Sequence, residues 1–389
     1  MASNLDLWFV SAPGEPTCHE TWEKLSKSAS SCSTNFKFPI PDLKVGTLDQ
    51  LVGLSDDLTK LDTYAESVTR KLAGYFSDVY EGQKDKLYES LKIGGKDPFQ
   101  YVTRFQWEVA KYPTKQSLRT ISDIISKQVT QIENDLRHKT TAYNALKNAI
   151  ASIERKTTGS LLTRDLSDIV KETDFVLSSE HLITLLVVVP KLSIRDWQSK
   201  YESLTDMVVP RSSKLVFEDN DSCLLSVTLF KKVVDDYKLK CRENKFLVRD
   251  FVYDADTLKA GRNEKDKLLA EQKKQFAPLV RWLQINFGEL FSAWTHVKAL
   301  RIFVESVLRY GLPVNFQAMV LQPAKNSQKR LRGVLNQLYR HLDTSSMGAP
   351  LEESEDMTST LQSLGGVADF YPYVHLSMNV DLLAADRRR

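Results

Sequence analysis

Residues that could act in acid–base catalysis are scattered along this 389-residue chain rather than grouped. Three acidic pairs could in principle supply an acid and a base, namely Asp56-Asp57, Asp235-Asp236 and Glu352-Glu353. Nothing apolar beside these pairs predicts a shifted pKa, so solvated helix or loop faces explain them better. The G-x-S-x-G pattern of a nucleophile elbow is also missing from the sequence. We therefore predict no catalytic residues and a chain that is not an enzyme.

Metal and nucleotide sites have equally little support. His19-Glu20 opens like a zincin motif, but Glu23 stands where the second histidine of that motif is required. Gly94-Gly95-Lys96 is the nearest approach to a phosphate-binding loop. It lacks the earlier glycine, and it lacks the hydroxyl residue after the lysine that would hold magnesium, so a turn explains it better. We predict no metal ion and no cofactor.

The four cysteines and the apolar runs bear on the compartment. Cys18, Cys32, Cys223 and Cys241 form no C-x-x-C pair and lie in ordinary apolar patterning, which favours reduced, buried thiols. The first ten residues have no basic segment and contain an acid, which argues against a secretory signal. The longest apolar run, 182–190, is too short to span a bilayer. We expect a cytoplasmic chain without direct membrane insertion.

Basic clusters are the remaining candidates for a functional site. They are Lys231-Lys232 with Lys238, Lys240 and Arg242, the run from Lys325 to Arg332, and Arg387 to Arg389. Solvated charged faces could explain all of them. The first cluster stands out because Lys238 and Arg242 are four residues apart on a predicted helix, where an acidic helical partner could meet them. We therefore select Lys231, Lys232, Lys238 and Arg242 as candidate partner-binding residues.

Nucleic acid is not an expected partner. The 53 basic and 50 acidic residues nearly cancel, so the whole chain has no strongly positive field. Aromatic residues do not interleave with the basic clusters as they do in single-strand-binding proteins.

Residues 115–155 show the clearest structural pattern. They contain no proline or glycine, and apolar side chains recur every three or four positions at Leu118, Ile121, Ile125, Val129, Ile132, Leu136, Tyr143, Leu146, Ile150 and Ile153. This spacing predicts one apolar stripe along a helix about 60 Å long. A second long pattern begins near Asp256 and passes Leu268, Phe276, Leu279, Leu283, Phe287 and Leu290. The pair could serve only intramolecular packing, or it could fix the distance between two lobes.

The chain between these helices has a different texture. We predict strands at Leu182–Val189, Lys214–Glu218, Cys223–Thr228 and Lys245–Tyr253, and helices near Ile194–Leu204 and Lys231–Arg242. Asp219-Asn220-Asp221 is the predicted turn of the middle strand pair. These elements predict a small α/β domain inserted between the two long helices.

The two chain ends supply the remaining elements. We predict a strand at Leu5–Val10, a helix capped by Thr17, and two further helices at Thr47–Leu54 and Ser55–Phe76, the second capped by Ser55. The aromatic segment Lys96–Pro113 is interpreted as a buried strand or extended bridge. Further aromatics from Trp282 to Tyr310 predict that this helical half is packed inside a globular domain. The predictions that follow are a strand at Phe316–Leu321, a helix at Asn326–His341, a loop or short helix at 345–363 and a strand at Tyr371–Val380.

No period of twenty to fifty residues is evident, so the sequence does not indicate a solenoid. The simplest assembly is an elongated α+β dumbbell. In it, both chain ends form one discontinuous lobe and two antiparallel helices carry the inserted lobe.

Five segments give the sequence a family resemblance: LWFVSAPG, KFPIPDLKVGTLD, DPFQYVTRFQWEVAKYP, LVVVPK and FVYDADTLKAGRNEKDKL. Together they closely resemble the C subunit of the eukaryotic vacuolar-type proton ATPase (V-ATPase), and the likeness covers the whole chain. The resemblance implies a discontinuous α/β foot (1–114 and 282–389), a neck helix (115–158) with its return helix (256–281), and an inserted α/β head (159–255).

The resemblance also implies a function and partners. The C subunit is expected to be a non-catalytic stator component whose head and foot bind peripheral stalks made of the E and G subunits. The foot is expected near the amino-terminal domain of the a subunit. Some family members bind actin, and reversible dissociation of the pump releases the C subunit to the cytosol. The implied location is the cytosolic face of vacuolar, endosomal or plasma membranes, and an actin-binding or general coiled-coil scaffold is the alternative.

Overall fold

A computed structural model of the chain describes residues 6–80, 84–342 and 371–383. In chain order its elements are β1 (Asp6–Pro13), α1 (Cys18–Ala29), β2 (Ser33–Lys37), α2 (Leu48–Val79), α3 (Lys84–Ser90), α4 (Pro98–Thr103), α5 (Leu118–Thr158), β3 (Leu182–Pro190), α6 (Ile194–Lys200), β4 (Lys214–Glu218), β5 (Ser222–Phe230), α7 (Val234–Glu243), β6 (Leu247–Arg249), α8 (Ala255–Tyr310), β7 (Phe316–Pro323), α9 (Gln328–Leu338) and β8 (Val374–Asn379).

The chain divides into two compact units. Unit 1 comprises the residues up to Thr140 and those from Pro278 onward, and unit 2 is Thr141–Ala277. Each unit contains a four-stranded sheet in which every strand pair is antiparallel. The prediction of mixed helices and sheets is confirmed. The α/β label for each lobe was wrong, because parallel strands joined by crossover helices do not occur in these sheets.

The unit 1 sheet brings distant parts of the chain together in the order β2-β7-β1-β8. Its inner strand β1 pairs with both C-terminal strands, so Trp8 lies opposite Leu321 on one side and Ser377 on the other. The predicted cap of α1 is present, since the Glu20 amide donates to Thr17 Oγ1 at 3.2 Å. Leu25 and Ala29 on that helix are buried against the sheet, as their spacing predicts.

The second half of α8 is the core of unit 1. Every residue from Leu290 to Leu300 is buried. This includes Trp294 and the polar residues His296 and Lys298. The helix ends at Tyr310, where Gly311 adopts a φ of +79° that favours glycine. The predicted packing of this aromatic half inside a globular domain is confirmed.

Two local predictions in unit 1 were wrong. Ser55 is not a helix cap, because a single helix α2 runs through it from a start at Thr47, where the backbone amide donates to Gln50 Oε1. The Lys96–Pro113 segment is not a strand. Asp97 accepts a hydrogen bond from the Gln100 amide at 2.7 Å and Pro98 occupies the first helical turn, so this cap starts the short helix α4.

The unit 2 sheet has the order β4-β5-β3-β6. Its central pair is β3 and β5, in register from Leu182 opposite Phe230 to Pro190 opposite Ser222. One face of this pair packs against α6 and α7 through Trp197 and Tyr237. The other face is covered by the segment that follows α5, including the buried Leu161, Leu166 and Val170. The four predicted strands of this unit are confirmed, and β6 is shorter than expected.

Unit 2 contains an internal repeat that was not predicted. After β3, a 3-10 turn at Lys191–Ser193 leads into α6, and after β5 a 3-10 turn at Lys231–Val233 leads into α7. Corresponding residues, such as Trp197 and Tyr237, are 40 positions apart. The statement that no such period exists was therefore wrong. The repeat escapes notice because the paired residues share apolar character and burial far more than identity.

The two long helices are common to both units. Helix α5 begins at Leu118, three residues after the predicted start, because Ser117 Oγ accepts from the Thr120 amide at 3.2 Å. The predicted stripe is buried at most positions, including Ile121, Ile125 and Val129. Helix α8 continues through Pro278. Both long helices are confirmed as elements.

Candidate functional site

A polar cluster in unit 1 joins α4 and the segment after it to α8. Tyr101 OH lies 2.9 Å from Ser292 Oγ and 3.0 Å from Glu108 Oε1, and Ser292 Oγ lies 2.7 Å from the same carboxylate oxygen. Lys111 Nζ completes the cluster at 2.9 Å from Glu108 Oε2. Burial alone would raise the pKa of Glu108, but hydrogen bonds from Lys111 and Ser292 outweigh it and lower that pKa. Glu108 is therefore held as a carboxylate.

His296 is the neighbour that could turn this cluster into a catalytic triad. Its Nδ1 lies 2.7 Å from the Ser292 carbonyl oxygen, so Nδ1 carries the proton and donates it there. Its Nε2 accepts from the Glu108 backbone amide at 3.0 Å. The ring is enclosed by Phe105, Trp107 and Tyr112, and burial lowers its pKa to about 4. The histidine is neutral, and both of its nitrogens are already used.

This geometry does not support nucleophilic catalysis. The Ser292 hydroxyl is bound to the carboxylate rather than to an accepting histidine nitrogen, and neither Ser292 nor His296 reaches the surface. The arrangement instead fixes the chain between α4 and α5 onto the core helix. Lys111 adds a bond to Glu289 of α8 at 2.9 Å, and Gln128 of α5 donates to the same carboxylate. The aromatic residues Phe105, Trp107 and Tyr112, which suggested a strand, instead pack around His296.

A second polar group is centred on Asp62 of α2. This group is buried, and its role is also structural. Trp294 Nε1 donates to Asp62 Oδ1 at 2.8 Å, while Lys298 Nζ and Arg301 donate to Oδ2 at 2.8 and 2.6 Å. Lys298 also donates to the Ser377 carbonyl of β8. Asp62 and Lys298 are almost completely buried, so their charges must compensate each other. The group ties α2, α8 and the last strand together.

The other candidates for chemistry are dispersed. His19 and Glu23 form an exposed i,i+4 contact on α1, and Asp56, Asp57, Asp235 and Asp236 are exposed. Glu352-Glu353 lies outside the described residues. Three cysteines are buried as predicted and Cys18 is half-buried, while burial raises the pKa of the Cys241 thiol to about 12. Across residues 6–80, 84–342 and 371–383, no group of three His, Cys, Asp or Glu side chains is placed to hold a metal ion.

A groove of about 300 Å³ in unit 1 lies where the chain after β2 diverges from the start of β7. Its lining includes Pro39, Pro41, Phe303 and Phe316. Cys18 is the nucleophilic side chain there, and its thiol lies 3.3 Å from Asn315 Oδ1. No histidine lines the groove to activate that thiol. In the ranges that the structure describes, no helix combines the length and apolar character needed to cross a bilayer.

The predicted partner-binding residues all belong to α7 or the turn before it, and they fall into two pairs. Lys238 Nζ lies 2.6 Å from Asp250 Oδ1, and Lys238, followed by Arg242, lowers the pKa of this exposed carboxyl. Much of the charge of this pair is therefore compensated within unit 2. Asp250 is distant from Lys238 in sequence, and the chain returns it to α7 after β6.

The other pair precedes α7. Lys231 Nζ donates to the Ser179 carbonyl at 2.8 Å, and Lys232 is exposed with no ion-pair partner among the described residues. In the second basic cluster, the Arg332 guanidinium lies over the Tyr371 ring. Arg387 to Arg389 lie outside the described residues. The assignment of these four residues to a partner stays a prediction.

Sequence comparisons with known proteins agree with one another. The family model that describes the V-ATPase C subunit matches residues 7–374. The V-type proton ATPase C subunit of Caenorhabditis briggsae is 61% identical over 380 residues, covering 98% of each chain. The Manduca sexta protein of the same name is 57% identical over 381 residues, covering 97% of this chain and 98% of its own. The V-type proton ATPase C 1 subunit of Rattus norvegicus is 56% identical, with 97% and 99% covered.

Among solved structures, a match is found to the cytoplasmic N-terminal domain of the I subunit of V-ATPase, which is a homolog of the a subunit. It covers 86% of this chain and 97% of its own, with 12% identity and a TM-score of 0.30, which is too low to support a shared fold. The sequence relatives are different in kind, because their identity extends over almost the full length of both chains. This chain belongs to the V-ATPase C-subunit family.

Proposed function

We propose that this chain is a non-catalytic stator subunit of the vacuolar proton-translocating ATPase. It bridges the peripheral stalks and the membrane sector on the cytosolic side, and it supports reversible assembly of the pump. The observation that carries the proposal is full-length membership in the C-subunit family. The cluster of buried Ser292 and His296 with half-buried Glu108 supports a structural rather than a catalytic role, because its hydrogen bonds are internal.

In this proposal the molecule is an elongated dumbbell, with unit 1 as the foot, unit 2 as the head and the long helices α5 and α8 as the neck. Two features support it. Each unit has its own sheet and hydrophobic clusters, and α5 and α8 are 41 and 56 residues long without a break. A helical pair resists bending better than a flexible linker, so it can hold two gripping surfaces at a fixed separation.

The partners we propose are the E and G subunits, as two peripheral stalks held by the head and the foot, and the amino-terminal domain of the a subunit near the foot. Rotary catalysis applies torque to a stator, and a stiff clamp between separate stalks resists it. Several moderate interfaces also release more readily than one large obligate interface. That arrangement suits a protein that leaves the pump and returns.

The test is reconstitution of the pump with and without this chain, followed by assays of ATP hydrolysis and proton pumping. Insertion of Gly-Gly after Asn134, inside α5, should leave hydrolysis but lower the protons pumped per ATP. A matched insertion after Asn220, in the turn between β4 and β5, should leave coupling unchanged. Full coupling with the α5 insertion would refute stiffness. Cosedimentation with actin filaments, together with failure to join the pump, would favour a scaffold function.

A further inference from the structure

Strand β2 is one edge of the unit 1 sheet, and its five residues pair with β7 in a regular antiparallel register. Hydrogen bonds at both ends fix which of its residues face β7. The Phe38 amide donates to the Ala318 carbonyl at 3.1 Å. At the other end, the Ala324 amide donates to the Cys32 carbonyl at 2.8 Å. Only every second residue of an antiparallel strand bonds to a given neighbour, so the even-numbered residues of β2 face β7 and the odd-numbered ones face away.

The residues whose backbone groups face away from the sheet are Ser33, Asn35 and Lys37. Their N–H and C=O groups have no hydrogen-bond partner in the part of the chain that the structure describes. Asn35 is half-buried and Lys37 is exposed, so solvent reaches this side of the strand. Unpaired groups along a strand edge are a template for a further strand.

The other three edges of the two sheets are protected. Carbonyl groups of β8 and of the residue before it accept hydrogen bonds from Arg70, Lys298 and Arg309. In unit 2, β4 is interrupted by a register shift between Leu215 and Phe217, and β6 has only three residues. Capping side chains, bulges and short strands are the usual protections of an edge. Strand β2 therefore differs from the other edges in its regular pairing and its free outer side.

We propose that β2 binds an extended segment of another pump component, as a fifth strand of the unit 1 sheet. The inference rests on the proposed function, because it assigns an edge to a partner contact of unit 1. In this mode of recognition, main-chain hydrogen bonds supply affinity and alternating side chains supply specificity. A five-residue strand pair is far smaller than a standard interface of roughly 1,200–2,000 Å². It is a moderate contact, of the kind that reversible assembly requires.

The neighbours of β2 select the side chains of the added strand. On the face toward α1, Lys37 Nζ lies 5.6 Å from the centre of the Trp22 ring. An opposite charge is the favourable cross-strand neighbour for a lysine. On the other face, the Phe36 and Phe99 rings meet edge to face with their centres 6.0 Å apart. The added strand should therefore place an acidic residue beside Lys37 and an apolar residue beside Phe36.

Acidic residues of the segments around β2 leave Lys37 without an ion-pair partner among the described residues. On α1, Glu20 and Glu23 contact residues of their own helix or its cap. Asp97 accepts a hydrogen bond in the first turn of α4. Asp42 lines the same groove as Lys37 but does not form an ion pair with it. The position beside Lys37 is therefore open to a carboxylate from outside.

Two other occupants fit the edge less well. A second copy paired through β2 alone would have only this short strand pair, which is too small for a stable dimer. The chain between 342 and 371 re-enters the sheet at β8, which is the opposite edge. A pump component is different, because other contacts of unit 1 with the pump would add to the strand pair.

Amide hydrogen exchange, resolved to single residues in the full chain, tests the proposal. In the isolated chain, the outward amides of Asn35 and Lys37 should exchange at least about tenfold faster than the amides of Thr34 and Phe36, which face β7. In the assembled pump, the outward amides should slow by about tenfold or more, because the added strand supplies their acceptors. Amides of the inner strand β1 are the reference and should not change.

Two substitutions of Lys37 give an independent measurement. Lys37→Pro removes the outward amide and leaves the bonds to β7 in place, because an edge strand tolerates proline where the N–H faces solvent. It should lower the affinity of the full chain for a pump that lacks its C subunit by about tenfold or more. Lys37→Thr keeps the amide and removes the charge, so it should lower that affinity by about threefold or less. Circular dichroism and thermal melting confirm that both variants are folded.

Outward amides that exchange equally in the isolated chain and in the pump would overturn the strand addition and leave the stator proposal intact. Equal affinities of the two Lys37 variants would do the same. If the outward amides are already slow in the isolated chain, the pump component is the wrong occupant. A second copy then replaces it if dilution restores fast exchange, and another part of this chain if dilution does not. Failure of the unmodified chain to join the pump would overturn both proposals.

Discussion

The sheets of the two units differ in how completely their faces and edges are covered. In unit 1, carbonyl groups of β8 and of the residue before it accept hydrogen bonds from three cationic side chains, namely Arg70 to Asn379, Lys298 to Ser377 and Arg309 to Tyr373. One face of that sheet packs against α1 and α9. In unit 2, one sheet face is buried along β3 from Val188 to Thr184, while Phe230 at the end of β5 is 39% exposed. Unsatisfied strand groups and bare apolar faces invite association.

Polar and charged residues have different roles in the two units. In unit 1 the buried Asp62 and the half-buried Glu108 stabilise the fold, because each binds several donors. In unit 2 the charged residues of α7 lie at the surface, where an ion pair contributes little to stability. We therefore expect substitutions of these groups in unit 1 to change the free energy of unfolding, and substitutions on unit 2 to change binding.

The largest effect should come from Asp62→Ala. It would leave the buried Lys298 and the nearby Arg301 without their carboxylate, at a cost of about 3–5 kcal/mol in the free energy of unfolding. Urea unfolding measures this loss, and Asp57→Ala on the exposed face of the same helix is the matched control. A loss below about 1 kcal/mol would contradict the stabilising role of the buried Asp62 ion pairs.

The next effect concerns pH and His296. Burial lowers its folded-state pKa from 6.5 to about 4, so protons bind the unfolded chain more tightly. The resulting stability is complete above pH 6.5 and is lost as the pH falls toward 4, by about 3 kcal/mol in all. Glu108 and Lys111 also act on this histidine. Denaturant unfolding from pH 7 to pH 4 should show this loss of stability. The substitution His296→Gln should reduce the pH dependence of the free energy of unfolding more than His138→Gln does.

The smallest effect should follow charge reversal on α7. Lys238→Glu with Arg242→Glu should weaken binding to the E and G heterodimer by about threefold or less, because Asp250 already offsets this pair. If the charge reversal abolished binding instead, α7 would be a main contact and Asp250 would not offset its charge.

Local patterns predicted the elements well, because periodicity and caps act over a few residues. The stripe of α5, the Thr17 cap and the strand at Phe316 follow from spacing alone. Of the two interpretations of Lys96–Pro113, the buried strand was wrong, because alternating aromatics resemble a strand. The aromatic ring of Tyr112 and the imidazole of His296 are neighbours only in the folded chain.

The partner-binding role of Lys231, Lys232, Lys238 and Arg242 stays a prediction. The sequence could not reveal that Asp250 returns to Lys238 or that the cover of the sheet stops at Thr184. Each depends on pairings between residues that are distant in sequence. The same holds for Asp62, whose partner Trp294 is 232 positions away. Spacing predicts which residues share a helix, whereas these contacts require the tertiary structure.

The repeat within unit 2 has a consequence for orientation. Two strand–turn–helix copies around an antiparallel pair approximate a twofold axis, so a ligand that recognised only backbone shape could dock in two directions. The turns break that equivalence, since one carries Leu192 and the other Lys232. A ligand that requires a positive charge at one end of the strand pair can therefore bind in one direction only. The side chains of the two turns, and not the repeated backbone, set that direction.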